Sequence, residues 1–357
     1  MSPLNVTAFT IAKDKIMRLN RNESINLIND SDLLKLGKMA DDIRRNKFGN
    51  VTTFIIDRNI NYTNICQNEC DFCAFFRRKN QKSAYLLSLD EIIEKVREAV
   101  EAGATQVMIQ GGLNPELGLD YYETMLRLIK QQFNITIHSF TATEIQYFAN
   151  RECISILETL KRLKEAGLDS LPGGGAEILV DEVRKKISPK KISTDDWLNV
   201  MKTAHSLGMK STATMVIGFG ETMEQRIEHM EKIRSLQDET GGFRAFIMWS
   251  FQPGNTKLGG EKVSSWDYMK TLAFSRIYLD NIEHIQGSWV TQGERIGQLT
   301  LGFGADDLGS IMLEENVVRA AGTSYEMSIQ KMVNLIKDTG RVPAQRNTEY
   351  KILKTFG

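Results

Sequence analysis

Cys66, Cys70 and Cys73 fall within eight residues of one another, in the run Cys66-Gln67-Asn68-Glu69-Cys70-Asp71-Phe72-Cys73. Thiolates are soft ligands, and three at this spacing can fold around one iron-sulfur cluster. A structural [4Fe-4S] site takes four cysteines. The remaining cysteine, Cys153, lies far along the chain on a helical pattern, where it reads as a buried thiol. One iron is therefore left open to bind a small molecule. Two other readings use the same residues: a three-cysteine zinc site completed by a histidine, and chance. No histidine stands nearby, and with 4 cysteines in 357 residues a chance trio is rare. Four cysteines are also too few for a disulfide scaffold.

Further polar residues stand where apolar runs end. Gln110-Gly111-Gly112 offers backbone that a ligand can approach closely, or is a simple turn. Glu177 follows the loop Gly173-Gly174-Gly175 and could accept hydrogen bonds from sugar hydroxyls or complement a helix N-terminus. His138 is a candidate for proton transfer or a structural histidine. Asp306 and Asp307 could supply a base, bind hydroxyls or cap a turn. Arg244, Arg295 and Arg319 could grip a carboxylate bidentately or lie on the surface. Tyr62 and Trp249 could stack on a substrate ring or close a core. His205, His229 and His284, in or beside helical patterns, read as structural.

These residues must be positioned by an alternation of short apolar runs and longer amphipathic stretches, the pattern of βα units. Strands are expected at 52–60, 105–110, 135–139, 169–171, 211–217, 244–250, 285–289 and 299–303. Helical patterns occupy 25–46, 89–102, 121–132, 154–166, 195–207, 223–239, 265–282 and 324–338. Ser88 followed by Glu91 opens the second helix as a capping box, and Gly103 ends it. Eight units without a composition shift predict an α/β fold of one (β/α)8-type barrel, with a doubly wound open sheet as the alternative. The expected organisation is a helical segment at 1–50 packing on a barrel at 51–357. In a barrel, the loops that follow the strands converge on one face.

Composition bounds the partners. Hydrophobic residues make up 41% and charged residues 25%, as in ordinary folded proteins. Forty-five basic residues balance forty-five acidic ones, which removes the footprint of a nucleic-acid or anionic-lipid binder and leaves a small-molecule substrate. No apolar run reaches the roughly 18 residues of a membrane span, and residues 1–15 lack a signal-peptide core, so a cytoplasmic protein is expected.

The Cys-x-x-x-Cys-x-x-Cys motif after a first strand, with aromatic Phe72 before the last cysteine, resembles the radical S-adenosylmethionine (SAM) superfamily. The resemblance implies that the open iron of a [4Fe-4S] cluster chelates SAM and that a 5′-deoxyadenosyl radical follows. It also implies that Gln110, Gly111 and Gly112 meet the methionine ammonium, although Leu113 replaces the usual acidic residue. Phe72, Glu177 and the segment Met215-Val216-Ile217-Gly218-Phe219-Gly220-Glu221, with Ile217, would border the nucleoside. From about residue 53 to 350 the wording is similar to the futalosine-pathway and deazaflavin-forming branch, as in Gly173-Gly174-Gly175-Ala176-Glu177-Ile178-Leu179 and Gly304-Ala305-Asp306-Asp307-Leu308-Gly309-Ser310. Arg58-Asn59-Ile60-Asn61-Tyr62-Thr63-Asn64, Trp249-Ser250-Phe251-Gln252-Pro253-Gly254 and Pro343-Ala344-Gln345-Arg346-Asn347 resemble the group that cyclises dehypoxanthine futalosine in menaquinone biosynthesis. Aminofutalosine synthase and a deazaflavin synthase subunit are the sibling alternatives, and a non-catalytic iron-sulfur or zinc protein is the alternative from another class. The resemblance further implies a reducing partner such as flavodoxin or ferredoxin.

Overall fold

The apolar run at 52–60 forms two strands, β1 (Val51–Ile55) and β2 (Asp57–Ile60), joined at Ile56. This chain is a computed structural model that describes residues 18–357. The remaining strands are β3 (Gln106–Ile109), β4 (Thr136–Ile137), β5 (Ser211–Ile217), β6 (Phe243–Ser250), β7 (His284–Gln286), β8 (Asp307–Ser310), β9 (Val342–Arg346) and β10 (Ile352–Thr355). One sheet runs β10-β9-β1-β8-β7-β6-β5 and the other β2-β3-β4. The β1–β2 continuity joins them on one side. On the other, parallel bridges from His138 to Ser170 and from Leu171 to Ser211 complete the ring, so segment 169–171 is a stave held by single bridges. All pairs around the ring are parallel, which places every strand C-terminus on one face. The architecture is a TIM-like (β/α)8-type barrel.

The strand expected at 299–303 is helical instead: Glu294–Thr300 is an α-helix and Leu301–Phe303 a 3-10 turn. Burial of Gly297, Thr300 and Leu301 follows helical spacing, which a short apolar run does not reveal. The eighth stave is β8, whose Asp307 lowers its apparent strand character. The single helix expected at 25–46 is two, Arg21–Asp30 and Leu33–Phe48, because Asp32 caps a new start by accepting from Lys35 N at 2.8 Å. Gly37 lets the second helix close on Phe303. The part of the 1–50 segment before residue 18 lies outside the described residues. Among the described residues, no helix is long and apolar enough to cross a membrane.

At the N-terminal end the β9–β10 hairpin covers the barrel, with Thr348 Oγ1 donating to Gln106 Oε1 at 2.7 Å. Around it lies a buried polar stem. Arg346 grips Asp307 through Nε at 2.6 Å and Nη2 at 3.0 Å, Thr53 donates to the same carboxylate, and Ser310 and Gln106 donate to Asp57. Burial raises the Asp57 carboxyl above the usual range despite those donors.

Candidate active site at the barrel mouth

The loop after β2 carries the three thiols, and its shape is imposed from both sides. Cys66 N donates to Arg77 O at 3.1 Å, Cys73 N to Cys70 O at 3.0 Å, and Asp71 N to Ile187 O at 3.0 Å. Arg77 binds the carbonyls of Ala74 and Phe76, tying the loop's exit. Burial pushes the Cys70 thiol up to about 12, with Lys191 opposing and Cys73 and Cys66 reinforcing the shift, so the three sulfurs feel one another. Burial also raises Cys73, against hydrogen bonds from the Phe76 and Phe75 backbone. Among the described residues, no three His, Cys, Asp or Glu side chains converge as a single metal ion requires.

The glycine loop after β3 leans directly on the cysteine loop. Gly112 N donates to Thr63 O at 3.0 Å and Gln67 N to Leu113 O at 3.2 Å. A Cβ on Gly112 would lie 2.7 Å from the Ile65 carbonyl carbon and 2.8 Å from Cys66 Cβ, so only glycine fits. Gly111 rests on the Tyr62 ring and donates its N–H to Glu144 Oε1 at 3.0 Å. Glu144 also accepts from Tyr62 Oη at 2.9 Å and, through Oε2, from Thr141 N at 2.7 Å. Burial raises its pKa despite these donors. The carbonyls of Gly111 and Gly112 accept no hydrogen bond among the described residues. The Gln110 side chain makes only long contacts, at 3.4 Å, to Asn59 and the Met108 sulfur.

Opposite these loops, Glu177 adopts φ +41° and accepts from Lys191 Nζ at 2.7 Å through Oε1, while its buried Oε2 has no hydrogen bond and only a longer ion pair, to Arg184 Nη1 at 3.7 Å. Lys191 lies 5.3 Å above the Phe72 ring and acts electrostatically on Cys70. Burial works against its charge, but Glu177 and Cys70 hold its ammonium above the usual range. Phe72 continues through Phe219, at 5.4 Å, to Phe251. Thr143 Oγ1, facing Gly175, is another buried polar atom without a hydrogen bond.

The structure separates the other candidates. Asp306 is held by Arg276, by His284 Nδ1 at 2.7 Å and by Ile285 N, while Asp307 is saturated by Arg346; neither is available as a base. Tyr62 is fully buried beneath the glycine loop, packed on Tyr122 and unable to stack on a ligand. Ile217 is turned outward and fully buried, its carbonyl taken by Phe251 N; Val216 is the inward neighbour. Arg295 is exposed on the outer helix after β7. Cys153 is exposed at a helix C-cap in the left-handed region, not buried. His138 faces inward beside Met108, with Nδ1 2.7 Å from Ser170 Oγ, and burial, then Arg244 and Arg346, keeps it neutral well below the usual histidine range. Trp249 also faces inward, and its buried Nε1 has no partner. Sequence reasoning missed Lys191 and Glu144. Thr141 with Glu144 is a capping box and could have flagged the second; nothing local distinguishes Lys191 from Lys190.

Residues 60–233 match the radical SAM superfamily, and residues 240–356 match the CofH/MqnC C-terminal region. A cyclic dehypoxanthine futalosine synthase of Halalkalibacterium halodurans is 46% identical over 342 residues, covering 95% of this chain and 92% of that protein. A 5-amino-6-(D-ribitylamino)uracil–L-tyrosine 4-hydroxyphenyl transferase of Archaeoglobus fulgidus is 44% identical, covering 88% of this chain and 93% of that one. The crystal structure of methylornithine synthase (PylB) superposes with a TM-score of 0.73 at 20% identity, covering 92% of this chain and 94% of that chain. This last likeness bears on the fold alone.

Proposed function

The chain belongs to the radical SAM superfamily, within the group carrying the CofH/MqnC C-terminal region, and on that premise we propose that it closes dehypoxanthine futalosine to cyclic dehypoxanthine futalosine in menaquinone biosynthesis. The observation that carries this reading is identity of 46% sustained over 95% of the chain to an enzyme of that name.

The residues present fit a three-thiolate [4Fe-4S] cluster with SAM beside it, because three sulfurs lack a fourth thiol and polar atoms without hydrogen bonds face them across the mouth. When bound, the cluster and SAM supply the 5′-deoxyadenosyl radical that takes hydrogen from the ribose 4′ carbon. Cys66, Cys70 and Cys73 would hold the cluster. The free carbonyls of Gly111 and Gly112 are acceptors for the methionine ammonium, and Lys191 offers a counter-charge to the neighbouring anionic groups. The Glu177 oxygen that has no hydrogen bond, Oε2, accepts from ribose hydroxyls, and Phe72 with Phe219 walls the adenine. Regaining aromaticity after the new carbon–carbon bond forms releases one proton and one electron; neutral, inward-facing His138 accepts the proton, and the electron would return to the oxidised cluster. A small redox carrier such as ferredoxin or flavodoxin supplies the reducing electron, and the balanced surface charge offers nucleic acid no footprint.

Reduced, reconstituted enzyme given SAM and dehypoxanthine futalosine should yield the cyclic product by mass spectrometry, with label in the cofactor's adenosine leaving as 5′-deoxyadenosine. Adenosine label in the product, or an adduct from tyrosine and 5-amino-6-(D-ribitylamino)uracil with no cyclisation, rejects the assignment. About one zinc and no cluster signal by electron paramagnetic resonance would reject the radical chemistry altogether.

A further inference from the structure

Arg244 is half-buried and, among the described residues, makes neither a hydrogen bond nor an ion pair, while its Nε and Nη2 are themselves buried and unpartnered. Buried arginines are matched: Arg346 to Asp307, Arg276 to Asp306, Arg226 to Glu221 and Asp267, and Arg184 to backbone carbonyls. An uncompensated buried guanidinium is costly enough that folds seldom keep one without a ligand.

The register of β6 shows where it points. Phe243 faces outward, stacked on Trp197 of the helix Thr194–Ser206, so Arg244 faces the lumen by strand alternation. Between the pairs Ser211↔Phe243 and Ala213↔Phe246 the ladder gains a residue, which returns Phe246 to the outer layer against His229. Arg244, Ile247 and Trp249 therefore share the inner wall, from floor to mouth, over about 15 Å of strand. Arg244 and Arg346 both act on inward-facing His138, which places the three around one floor. The carboxylates of Asp169 and Glu349 lie in its field without pairing with it. The unpartnered Nε and Nη2 form one edge of the guanidinium, the edge that takes both oxygens of a carboxylate side-on.

The geometry points to Arg244 as the seat of the benzoate carboxylate of the substrate, with the sugar held at the mouth and the aryl acid hanging down the lumen. This deepens the cyclase reading and rests on it for the identity of the acid. The charge at the floor fixes the ring's depth and orientation, so that the sugar carbon that loses hydrogen faces the thiol loop while the ring lies against its own chain.

Calorimetric titration of the reconstituted holoenzyme with 3-acetylbenzoate and with its carboxamide tests the site without turnover. The acid should bind the wild type much more tightly than the amide. Arg244→Gln should weaken the acid roughly 100-fold and leave the amide unchanged, with Arg244→Lys in between. In turnover, Arg244→Gln should raise KM for dehypoxanthine futalosine by a similar factor while cluster content stays at the wild-type level. Acid and amide binding the wild type equally overturns the assignment whatever the variants do, and so does an equal loss of both on Arg244→Gln. Failure of the wild type to cyclise the substrate counts against the reaction instead, and the titration still decides the arginine.

Discussion

The substitution Gly112→Ala tests whether the glycine loop and the cysteine loop act as one rigid unit. A Cβ there would sit 2.8 Å from Cys66 Cβ and 2.7 Å from the Ile65 carbonyl carbon, where ordinary contact begins at 3.4 Å. The obstruction is the Ile65 backbone and the Cys66 Cβ, so no flexible side chain can swing away. One loop must retreat by about 0.6 Å or more, because interiors at crystal-like density have no slack to absorb it. Overpacking of this kind costs about 1–3 kcal/mol, well inside the roughly 5–15 kcal/mol of an ordinary domain, so the variant should still fold. Catalysis is less forgiving, since about 1 Å of misplacement costs on the order of 100-fold. The expected result is native circular dichroism, iron content reduced after reconstitution, and 5′-deoxyadenosine formation down roughly 10- to 100-fold. Gly302→Ala, at a glycine with open space around it, is the control. Wild-type iron content and cleavage rate in Gly112→Ala would refute the claim that the two loops are locked together.

Three further outcomes follow from the charge distribution. Lys191→Met removes the cation that acts on Cys70 and pairs Glu177, so the reconstituted cluster's midpoint potential should fall by on the order of tens of millivolts in a redox titration, and the KM for SAM should rise. His138 is neutral well below the usual range, and burial lowers His205 to about 4 and His229 to about 3. The unfolded chain binds protons on all three below about pH 6.5 while the native protein does not, so stability is present above that pH and is lost as pH falls. The loss should reach about 4 kcal/mol at pH 5.5, seen as a falling melting temperature of the apoprotein that His229→Gln partly relieves. Arg346→Gln leaves the Asp307 carboxylate buried with its bidentate partner gone, and urea unfolding should show a loss of about 3–5 kcal/mol that the double replacement Arg346→Met with Asp307→Leu largely recovers.

Much of the barrel was legible because its strands are buried on both faces and read as apolar runs, and its helices carry capping boxes such as Ser88–Glu91 and Thr222–Gln225. The thiol trio and the glycine loop were legible for the same reason: their chemistry is local. What depended on partners distant in sequence was not. Asp306 and Asp307 look like free acids beside a strand end, yet Arg276 and Arg346 neutralise them from 30 and 39 residues away. Tyr62 looks like a ligand-facing aromatic until Glu144 and Gly111 are brought against it.

The most consequential gap concerns direction rather than identity. Side chains in a strand alternate, so a reader of β6 who places Trp249 inside the barrel must place Ala245 inside and Arg244 outside. The extra residue between Phe243 and Phe246 breaks that parity and lets an arginine at the floor share a wall with a tryptophan at the mouth. Bulges carry no strong sequence signature, and here no glycine marks one. The physical cost of the arrangement is the sign that it is used: a guanidinium with two buried, unpartnered donors is tolerated where a carboxylate arrives to meet it, and the balanced charge and saturated acids elsewhere in the barrel leave the substrate to bring that carboxylate.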